Sequence, residues 1–330
     1  MQLDVVIPTY NRSGQLALTI ESLLAAPVPP DMQVVITVVD NNSKDGTRAL
    51  VESRMRADRR LRYVFEQQQG RSHALNRGIT STSGDLIGMV DDDEEIDPTW
   101  YHTIAEAFAD PAVDFIGGPY LPRWEVPPPD WMPEQFGSVV GWAKAGDREA
   151  PYGAGFEGML MGGNAVVRRR TIENVGLYAT WLGRVGNRLL SGEDREFFDR
   201  LLKSGARGKY LPRLIIHHHV LAERCTKQYF RSWVFWHGVS MGVLARRGDA
   251  HDPYFQGPRF LGIPRWRFRT AVTGLVATLA GRFTRKDPAR IFAGELTARE
   301  YGGMLYGRHF FGRSHGQAGM GRSATPATEP

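Results

Sequence analysis

Near its N-terminus the chain reads Leu3-Asp4-Val5-Val6-Ile7-Pro8-Thr9-Tyr10-Asn11-Arg12. The first five residues are apolar apart from Asp4, and the following residues are mostly polar. A short apolar run without strict alternation is typical of a strand that is buried on both faces. The stretch therefore predicts an inner strand of a parallel sheet, with polar side chains at its carboxyl end.

Further short apolar runs follow, and stretches with helical spacing separate them. Strands are expected at residues 34–39, 62–65 and 86–90, and helices at residues 14–25, 47–56 and 71–79. Strands that alternate with helices indicate an α/β fold, in which helices cover both faces of a mostly parallel sheet. Ligands of such sheets bind in the crevice at the carboxyl ends of the strands.

Composition excludes several classes of protein. The 330 residues are 42% apolar and 23% charged, which is typical of a globular chain rather than a disordered or multi-span membrane protein. The single cysteine, Cys225, excludes an intramolecular disulfide framework and a multi-cysteine zinc site. Residues 1–8 show no secretory signal, and the apolar run at 271–281 is too short to span a bilayer, so a cytoplasmic location is expected.

Charge divides the chain into an acidic and a basic half. Residues 1–150 contain 13 Lys and Arg against 23 Asp and Glu, whereas residues 151–330 contain 28 against 13. A helix is expected at 228–247, and residues 265–290 mix arginines with Trp266 and Phe268. This pattern predicts an interfacial helix on an anionic cytoplasmic leaflet. A packed helical subdomain with solvated arginines is the alternative, and no nucleic-acid partner is expected.

Five consecutive carboxylates, from Asp91 to Glu95, follow the strand predicted at 86–90. Such charges repel one another, so water or a cation must compensate them at the end of a buried strand. Oxygen ligands suit Mn²⁺ or Mg²⁺, which usually bind one or two carboxylates together with substrate phosphates. In extended chain Asp91 and Asp93 would face one side, and Asp92 would point away. A solvated acidic loop is the alternative.

Two later clusters add candidate residues. Glu193-Asp194 opens a helix predicted at 195–203, where it would provide either a general base or charges that favour the helix macrodipole. His217-His218-His219 follow a strand predicted at 214–216, and one of the three could bind a metal. Arg71 would supply a cation near the acidic run, unless it lies on a solvated helix face.

Taken in order, these motifs resemble the family 2 glycosyltransferases, whose fold is called GT-A, a Rossmann-like sheet flanked by helices. The matching segments span residues 3–220 and comprise residues 6–12, 39–47, 70–78, 90–93, 163–169 and 192–194. The resemblance implies a metal-dependent enzyme that moves one sugar, with inversion, from a nucleotide-sugar donor to a lipid-linked or surface-glycan acceptor. A UDP-sugar is the donor to expect.

The resemblance also implies a role for each matching residue. Asp194 would be the catalytic base, with Glu193 in the acceptor pocket. Asp91, Asp93 and His218 would hold Mn²⁺ or Mg²⁺, although His217 or His219 could take the place of His218. Nucleotide and donor would contact Pro8, Thr9, Tyr10, Asp40, Arg71, Asn76, Asp91, Asp92, Gly163 and Asn164.

The implied organisation is a catalytic domain at 1–222, with a nucleotide-binding half (1–115) and an acceptor half (116–222). A basic helical region (223–311), with peripheral association at the inner face of the cell membrane, and a disordered tail (312–330) would follow. The Q-x-x-R-W motif of processive synthases is missing from the sequence, which favours addition of a single sugar. The alternatives are a sugar nucleotidyltransferase, which usually has a glycine-rich basic loop near its N-terminus, and a non-catalytic membrane-binding scaffold.

Overall fold

A computed structural model describes residues 1–184, 189–247, 255–281 and 287–312. Its strands are β1 (Gln2–Thr9), β2 (Gln33–Asp40), β3 (Leu61–Phe65), β4 (Leu86–Met89), β5 (Glu94–Ile96), β6 (Phe115–Gly117), β7 (Tyr120–Trp124), β8 (Ala150–Pro151), β9 (Ala165–Arg168), β10 (Gly208–Tyr210), β11 (Ile216–Val220), β12 (Arg259–Phe260) and β13 (Ile263–Pro264). Its α-helices are α1 (Ser13–Ala25), α2 (Thr47–Ala57), α3 (Arg71–Thr80), α4 (Trp100–Phe108), α5 (Arg169–Val175), α6 (Glu193–Lys203), α7 (Lys227–Arg247), α8 (Arg265–Gly281) and α9 (Pro288–His309).

The main sheet has the strand order β3-β2-β1-β4-β9-β6-β10-β8. Strands β3, β2, β1 and β4 run parallel, β9 runs antiparallel to both of its neighbours, and β6 pairs with β10 in parallel. The mostly parallel α/β sheet that the sequence predicts is therefore confirmed, and so are the strand and helix positions of the first 90 residues, within two residues at their ends.

Strand β1 lies at the centre because its apolar side chains serve both faces of the sheet. Leu3, Val5 and Ile7 pack in the cluster that contains α1, whereas Val6 packs in the cluster on the opposite face that contains α3. A Cβ added at Gly78 of α3 would overlap Val6, so α3 lies directly against the strand. This close packing places Arg71, the first residue of α3, at the carboxyl ends of the strands.

A second sheet, with the order β5-β11-β7, lies beside the acidic run. Strand β11 pairs with β5 so that His218 is opposite Glu94. The sequence predicts a strand at 214–216, but the strand begins at Ile216 and includes all three histidines. Its burial alternates, with His218 inside and His217 and His219 partly exposed, because a strand turns successive side chains to opposite faces.

The C-terminal region packs its helices backbone against backbone. A Cβ added at Gly238 or Gly242 of α7 would overlap a carbonyl oxygen of α9, and one added at Gly303 or Gly307 of α9 would overlap a carbonyl oxygen of α7. Glycines with a spacing of four residues on both helices thus allow the two axes to approach closely. The helical nature of this region agrees with the sequence analysis; residues 313–330 of the predicted tail lie outside the described residues. No helix in the described ranges combines the length and the hydropathy that a membrane span requires.

Candidate functional site

A cleft of about 300 Å³ lies at the carboxyl ends of β1 and β4 and contains most of the predicted site residues. The loop after β1 forms one wall, with Pro8, Thr9 and the partly exposed Tyr10 lining the space. The Thr9 hydroxyl donates a 2.8 Å hydrogen bond to Asp92 Oδ2. The first wall is therefore attached to the acidic run.

The loop after β2 presents Asn41, not Asp40, to the cleft. Asp40 is buried, and its carboxylate accepts hydrogen bonds from the Ser43 backbone N–H and the Tyr63 hydroxyl, both at 2.8 Å. Asn41 Oδ1 accepts a 2.7 Å hydrogen bond from the Gly70 N–H, which is next to Arg71. Asp40 therefore stabilises the loop after β2 from outside the cleft lining. Its contact with a nucleotide base stays a prediction.

The acidic run turns between β4 and β5, and all three aspartates line the cleft. Arg12 Nη1 lies 3.1 Å from Asp92 Oδ1 and 2.9 Å from Asp93 Oδ2. The expectation that Asp92 would point away from its neighbours is wrong, because residues 91–93 are not extended strand and the alternation of side chains does not apply to them. Neighbouring carboxylates are tolerated here because a guanidinium lies between them.

The environment gives these two aspartates different acidities. Burial raises the pKa of Asp92 to about 6, against the opposing effect of Arg12. Burial would also raise the pKa of Asp93, but His218 and Arg224 outweigh it and hold that pKa well below the usual range. Asp93 is thus the more acidic of the two aspartates.

Arg71 connects the acidic run to the start of α6. Its guanidinium is 2.8 Å from Asp91 Oδ1, 3.1 Å from Glu193 Oε1 and 3.0 Å from Asp194 Oδ1. Asp194 lies directly against backbone, because a Cβ added at Gly162 would overlap its carboxylate. The two acidic clusters, about 100 residues apart in sequence, therefore share one wall of the cleft.

Both acids at the start of α6 hold their protons more tightly than ordinary carboxyls. Burial and the neighbouring Asp194 raise the pKa of Glu193 to about 7. Burial raises the pKa of Asp194, with Asp91 adding to the effect and Arg71 opposing it. A carboxylate with a raised pKa is a better proton acceptor near neutral pH than an exposed one. Asp194 is also about one quarter exposed, whereas Glu193 is almost fully buried.

Asp93 and His218 form the part of the cleft whose chemistry fits a divalent cation. Asp93 Oδ2 and His218 Nε2 are 3.6 Å apart, and two ligands of one octahedral ion are about 3 Å apart. Arg224 Nη1 also lies 2.9 Å from His218 Nε2. A carboxylate oxygen and an imidazole nitrogen thus face the same point.

Arg224 and Arg12 limit this fit, since Arg224 Nη2 lies 2.7 Å and Arg12 Nη1 2.9 Å from Asp93 Oδ2. A metal that uses Asp93 Oδ2 and His218 must therefore displace both guanidinium groups from that oxygen. Among the described residues no group of three or more Asp, Glu, His or Cys side chains is arranged around a single point. The protein would then provide two ligands here, with Asp91 at the edge of the cleft, and substrate oxygens would complete the coordination.

Of the three histidines, His218 lines the cleft. His219 forms a hydrogen bond with Glu95, and Glu95 also contacts Arg123. His219 lines a separate depression outside the cleft. The pairing of β11 with β5 therefore turns His218 into the cleft, and its role as a metal ligand stays a prediction.

Besides Asp40, three predicted residues lie behind the cleft rather than in its lining. Asn76 bridges to the Tyr178 backbone with both its amide oxygen and its amide nitrogen, each at 2.9 Å. Asn164 accepts a 3.0 Å hydrogen bond from the Trp100 indole N–H and donates to backbone carbonyls. At Gly163 a Cβ would overlap the Glu94 carboxylate, so a glycine is needed there. They position the walls, and a direct contact of any of them with the donor stays a prediction.

Among the cleft residues that the sequence analysis did not assign to the site are Arg12, Arg224 and Glu94. Arg12 ends the first motif, so a search for cations that compensate the acidic run could have included it. Glu94 Oε2 accepts a 2.8 Å hydrogen bond from the Asp91 N–H, and burial holds the pKa of Glu94 well above its usual range. Arg224 gives no local signal, because it reaches Asp93 only through the pairing of β11 with β5.

Comparison with known proteins identifies the family. The model of Glycosyl transferase family 2 matches residues 4–176, more than half of the chain. The glucosyl-dolichyl phosphate glucuronosyltransferase of Haloferax volcanii is 27% identical over 250 residues, which cover 74% of this chain and 77% of that protein. The succinoglycan biosynthesis protein ExoM of Rhizobium meliloti is 27% identical over 248 residues, with 74% and 75% covered.

A solved structure gives the same fold. The mannosyltransferase PcManGT from Pyrobaculum calidifontis, in complex with GDP-Man and Mn²⁺, superposes with a TM-score of 0.62 at 17% sequence identity. The superposition covers 92% of this chain and 86% of the other. The strand order, the position of the cleft and the family match lead to the same conclusion. This chain belongs to glycosyl transferase family 2 and is a glycosyltransferase with the GT-A fold.

Proposed function

We propose that this enzyme transfers one sugar from a nucleotide-sugar donor to an acceptor hydroxyl in a single inverting displacement, with Asp194 as the general base. The observation that carries the proposal is the arrangement around Arg71. Its guanidinium contacts both Asp91 of the acidic run and Asp194 of α6, so both carboxylates face one cleft. A donor held at the acidic run would then lie within reach of the base.

The bonds that change follow from this arrangement. Asp194 takes the proton from the acceptor hydroxyl while the hydroxyl oxygen attacks the anomeric carbon of the donor sugar. The bond between that carbon and the diphosphate oxygen breaks, and the nucleoside diphosphate leaves on the opposite side. The anomeric configuration is therefore inverted. Orientation of both substrates in one cleft is worth several kcal/mol in such reactions.

We include a divalent cation, Mn²⁺ or Mg²⁺, in the proposal, with Asp93 and His218 as its protein ligands and Asp91 at its side. When bound, such an ion offsets the negative charge on a leaving diphosphate. The support is the pair of donor atoms that face one point and the ionised state of Asp93. The similar structure of PcManGT was solved with GDP-Man and Mn²⁺.

We propose UDP-sugars as donors and a lipid-linked or surface glycan as acceptor. The relative from Haloferax volcanii is named for a dolichyl phosphate-linked substrate, and ExoM is named for succinoglycan biosynthesis. A cytoplasmic location next to a membrane belongs to the same proposal, because a lipid-linked acceptor is reached only at a membrane surface.

The experiment is release of nucleoside diphosphate from a panel of nucleotide sugars, with and without Mn²⁺. One or a few donors should give slow, Mn²⁺-dependent release that an acceptor glycan accelerates, and NMR of the product should show the inverted anomer. A retained anomer would refute Asp194 as the base of a single displacement. Release at the same rate with added Mn²⁺ and with a chelator in place of Mn²⁺ would refute the role of the cation.

A further inference from the structure

The C-terminal region exposes a continuous apolar surface that the catalytic cleft does not use. Helix α8 carries a row of exposed apolar side chains, here called the apolar stripe, formed by Phe268, Val272, Leu275, Val276 and Leu279. Their spacing of four, three, one and three residues keeps them on one side of the helix. Between about two fifths and three fifths of each side chain is accessible to solvent.

The neighbouring face of α8 packs against α9. Ala271 and Thr278 are buried, and the Thr278 hydroxyl donates to the Ile291 carbonyl of α9 at 2.9 Å. A Cβ on Gly294 of α9 would overlap the carbonyl oxygen of Gly274. Helix α8 is therefore fixed to the protein by its small residues, and its large apolar residues are turned outward.

The hairpin before α8 extends this surface. Its turn consists of Leu261 and Gly262, which have φ angles of +50° and +77°. Asn-Gly is the usual pair in a turn with two positive φ values, so a leucine here is unfavourable for the backbone. Leu261 is nevertheless 56% exposed, and the neighbouring Phe260 contacts Phe268 of the stripe at a ring distance of 5.0 Å.

Charge identifies the kind of partner. Residues 253–286 contain seven Lys and Arg and not one Asp or Glu. Arg259, Arg265 and Arg269 are exposed beside the hairpin and the apolar stripe. A second copy of the same surface would bring like charges together, which disfavours a symmetric dimer. An anionic bilayer offers both an apolar interior and negative headgroups.

We propose that the hairpin turn and the apolar stripe insert into the headgroup region of an anionic membrane, with α8 lying parallel to the bilayer and Leu261 as the tip. The apolar stripe would contact the membrane over about 18 Å of the helix, at 1.5 Å per residue. The unfavourable backbone of Leu261 is then explained by a function of its side chain. The proposal does not depend on the sugar, the acceptor or the catalytic base.

The test is flotation of the purified full-length chain with vesicles. Vesicles of phosphatidylcholine with about 30% phosphatidylglycerol should carry the wild type, whereas pure phosphatidylcholine should not. Leu261→Asn and Leu275→Asn should each weaken binding by about tenfold or more. Asparagine tolerates positive φ, so Leu261→Asn should keep its melting temperature. Leu18→Asn, at an exposed leucine of α1, is the matched control and should bind as the wild type does.

Three results would overturn the proposal. The first is failure of the wild type to float with anionic vesicles. The second is binding of Leu261→Asn and Leu275→Asn equal to that of Leu18→Asn, and the third is conversion of a stable dimer into monomers by Leu275→Asn. Nucleotide release, measured on the same samples without vesicles, should be equal in all four proteins. Loss of that activity alone would concern the proposed transfer reaction and leave the membrane surface intact.

Discussion

The guanidinium of Arg71 lies 3.0 Å from the carboxylate of Asp194 and also contacts Asp91, although Arg71 belongs to α3 and Asp194 to α6. Arg71 is largely buried, so this ion pair is screened less than one on the surface. It fixes the position of the carboxylate that we propose as the base. It also limits how far the pKa of Asp194 can rise.

Asp194→Asn should retain binding of donor and Mn²⁺ but lose transfer. An amide cannot accept the proton from the acceptor hydroxyl, and removal of a general base costs about 10²–10⁴-fold in rate. Steady-state assays of Asp194→Asn should show the loss of transfer in kcat. Calorimetry should show an unchanged affinity for the donor. Glu196→Gln, on the same helix but outside the cleft lining, is the control and should remain active. An equal loss of donor binding would refute the assignment of Asp194 as the base.

Arg224→Gln should increase the affinity for Mn²⁺ in the absence of nucleotide, by about tenfold. Arg224 competes for the Asp93 oxygen that a cation would use, and its removal also removes a positive charge from the site. Calorimetric titration with MnCl₂ checks this. Asp93→Ala is the opposite variant and should abolish both Mn²⁺ binding and metal-dependent nucleotide binding. Weaker Mn²⁺ binding in Arg224→Gln, or unchanged affinity in Asp93→Ala, would contradict the ligand set.

Glu193→Gln should change how stability depends on pH. The folded-state pKa of Glu193 is about 7, above the usual value of 4.5, so the folded state holds a proton that the unfolded state releases. Its contribution to stability is complete below about pH 4.5 and is lost as the pH rises through 7. The maximum slope is about 1.4 kcal/mol per pH unit.

The measurement is urea unfolding at several values between pH 5 and pH 8, for wild type and Glu193→Gln. The wild type should lose stability relative to the variant as the pH rises, because glutamine has no proton to lose. Parallel pH profiles for the two proteins would show that Glu193 does not hold its proton in the folded state.

Gly303→Ala and Gly302→Ala should have opposite effects on stability. A Cβ at Gly303 would overlap the Phe235 carbonyl oxygen of α7, whereas a Cβ at Gly302, one residue away, has open space within 4 Å. Overpacking should cost about 1–3 kcal/mol in Gly303→Ala. Gly302→Ala should gain about 0.5–1 kcal/mol, because alanine is the better helix former. Denaturant unfolding of both variants provides the comparison, and equal stabilities would contradict the close contact of α7 with α9.

The sequence alone determined the class of fold and the acidic residues that line the cleft. Short apolar runs identify the strands, and the stretches between them, with apolar residues at helical spacing, identify the helices. Both patterns can be read locally, because a strand buried on two faces is apolar throughout and an amphipathic helix repeats its apolar residues every 3.6 positions. The acidic run and the Glu193-Asp194 pair are visible for the same reason. Each is a set of adjacent residues whose chemistry can be read without knowing what lies nearby.

Only the tertiary structure decided which partners these residues have. Asn41 rather than Asp40 faces the cleft, and Arg224 meets Asp93 because β11 pairs with β5 in one register. A shift of that pairing by one residue would turn His218 away and bring a neighbouring histidine in. Such pairings join residues more than 120 positions apart, and their energy comes from the packing of whole elements. These pairings therefore cannot be predicted from local sequence.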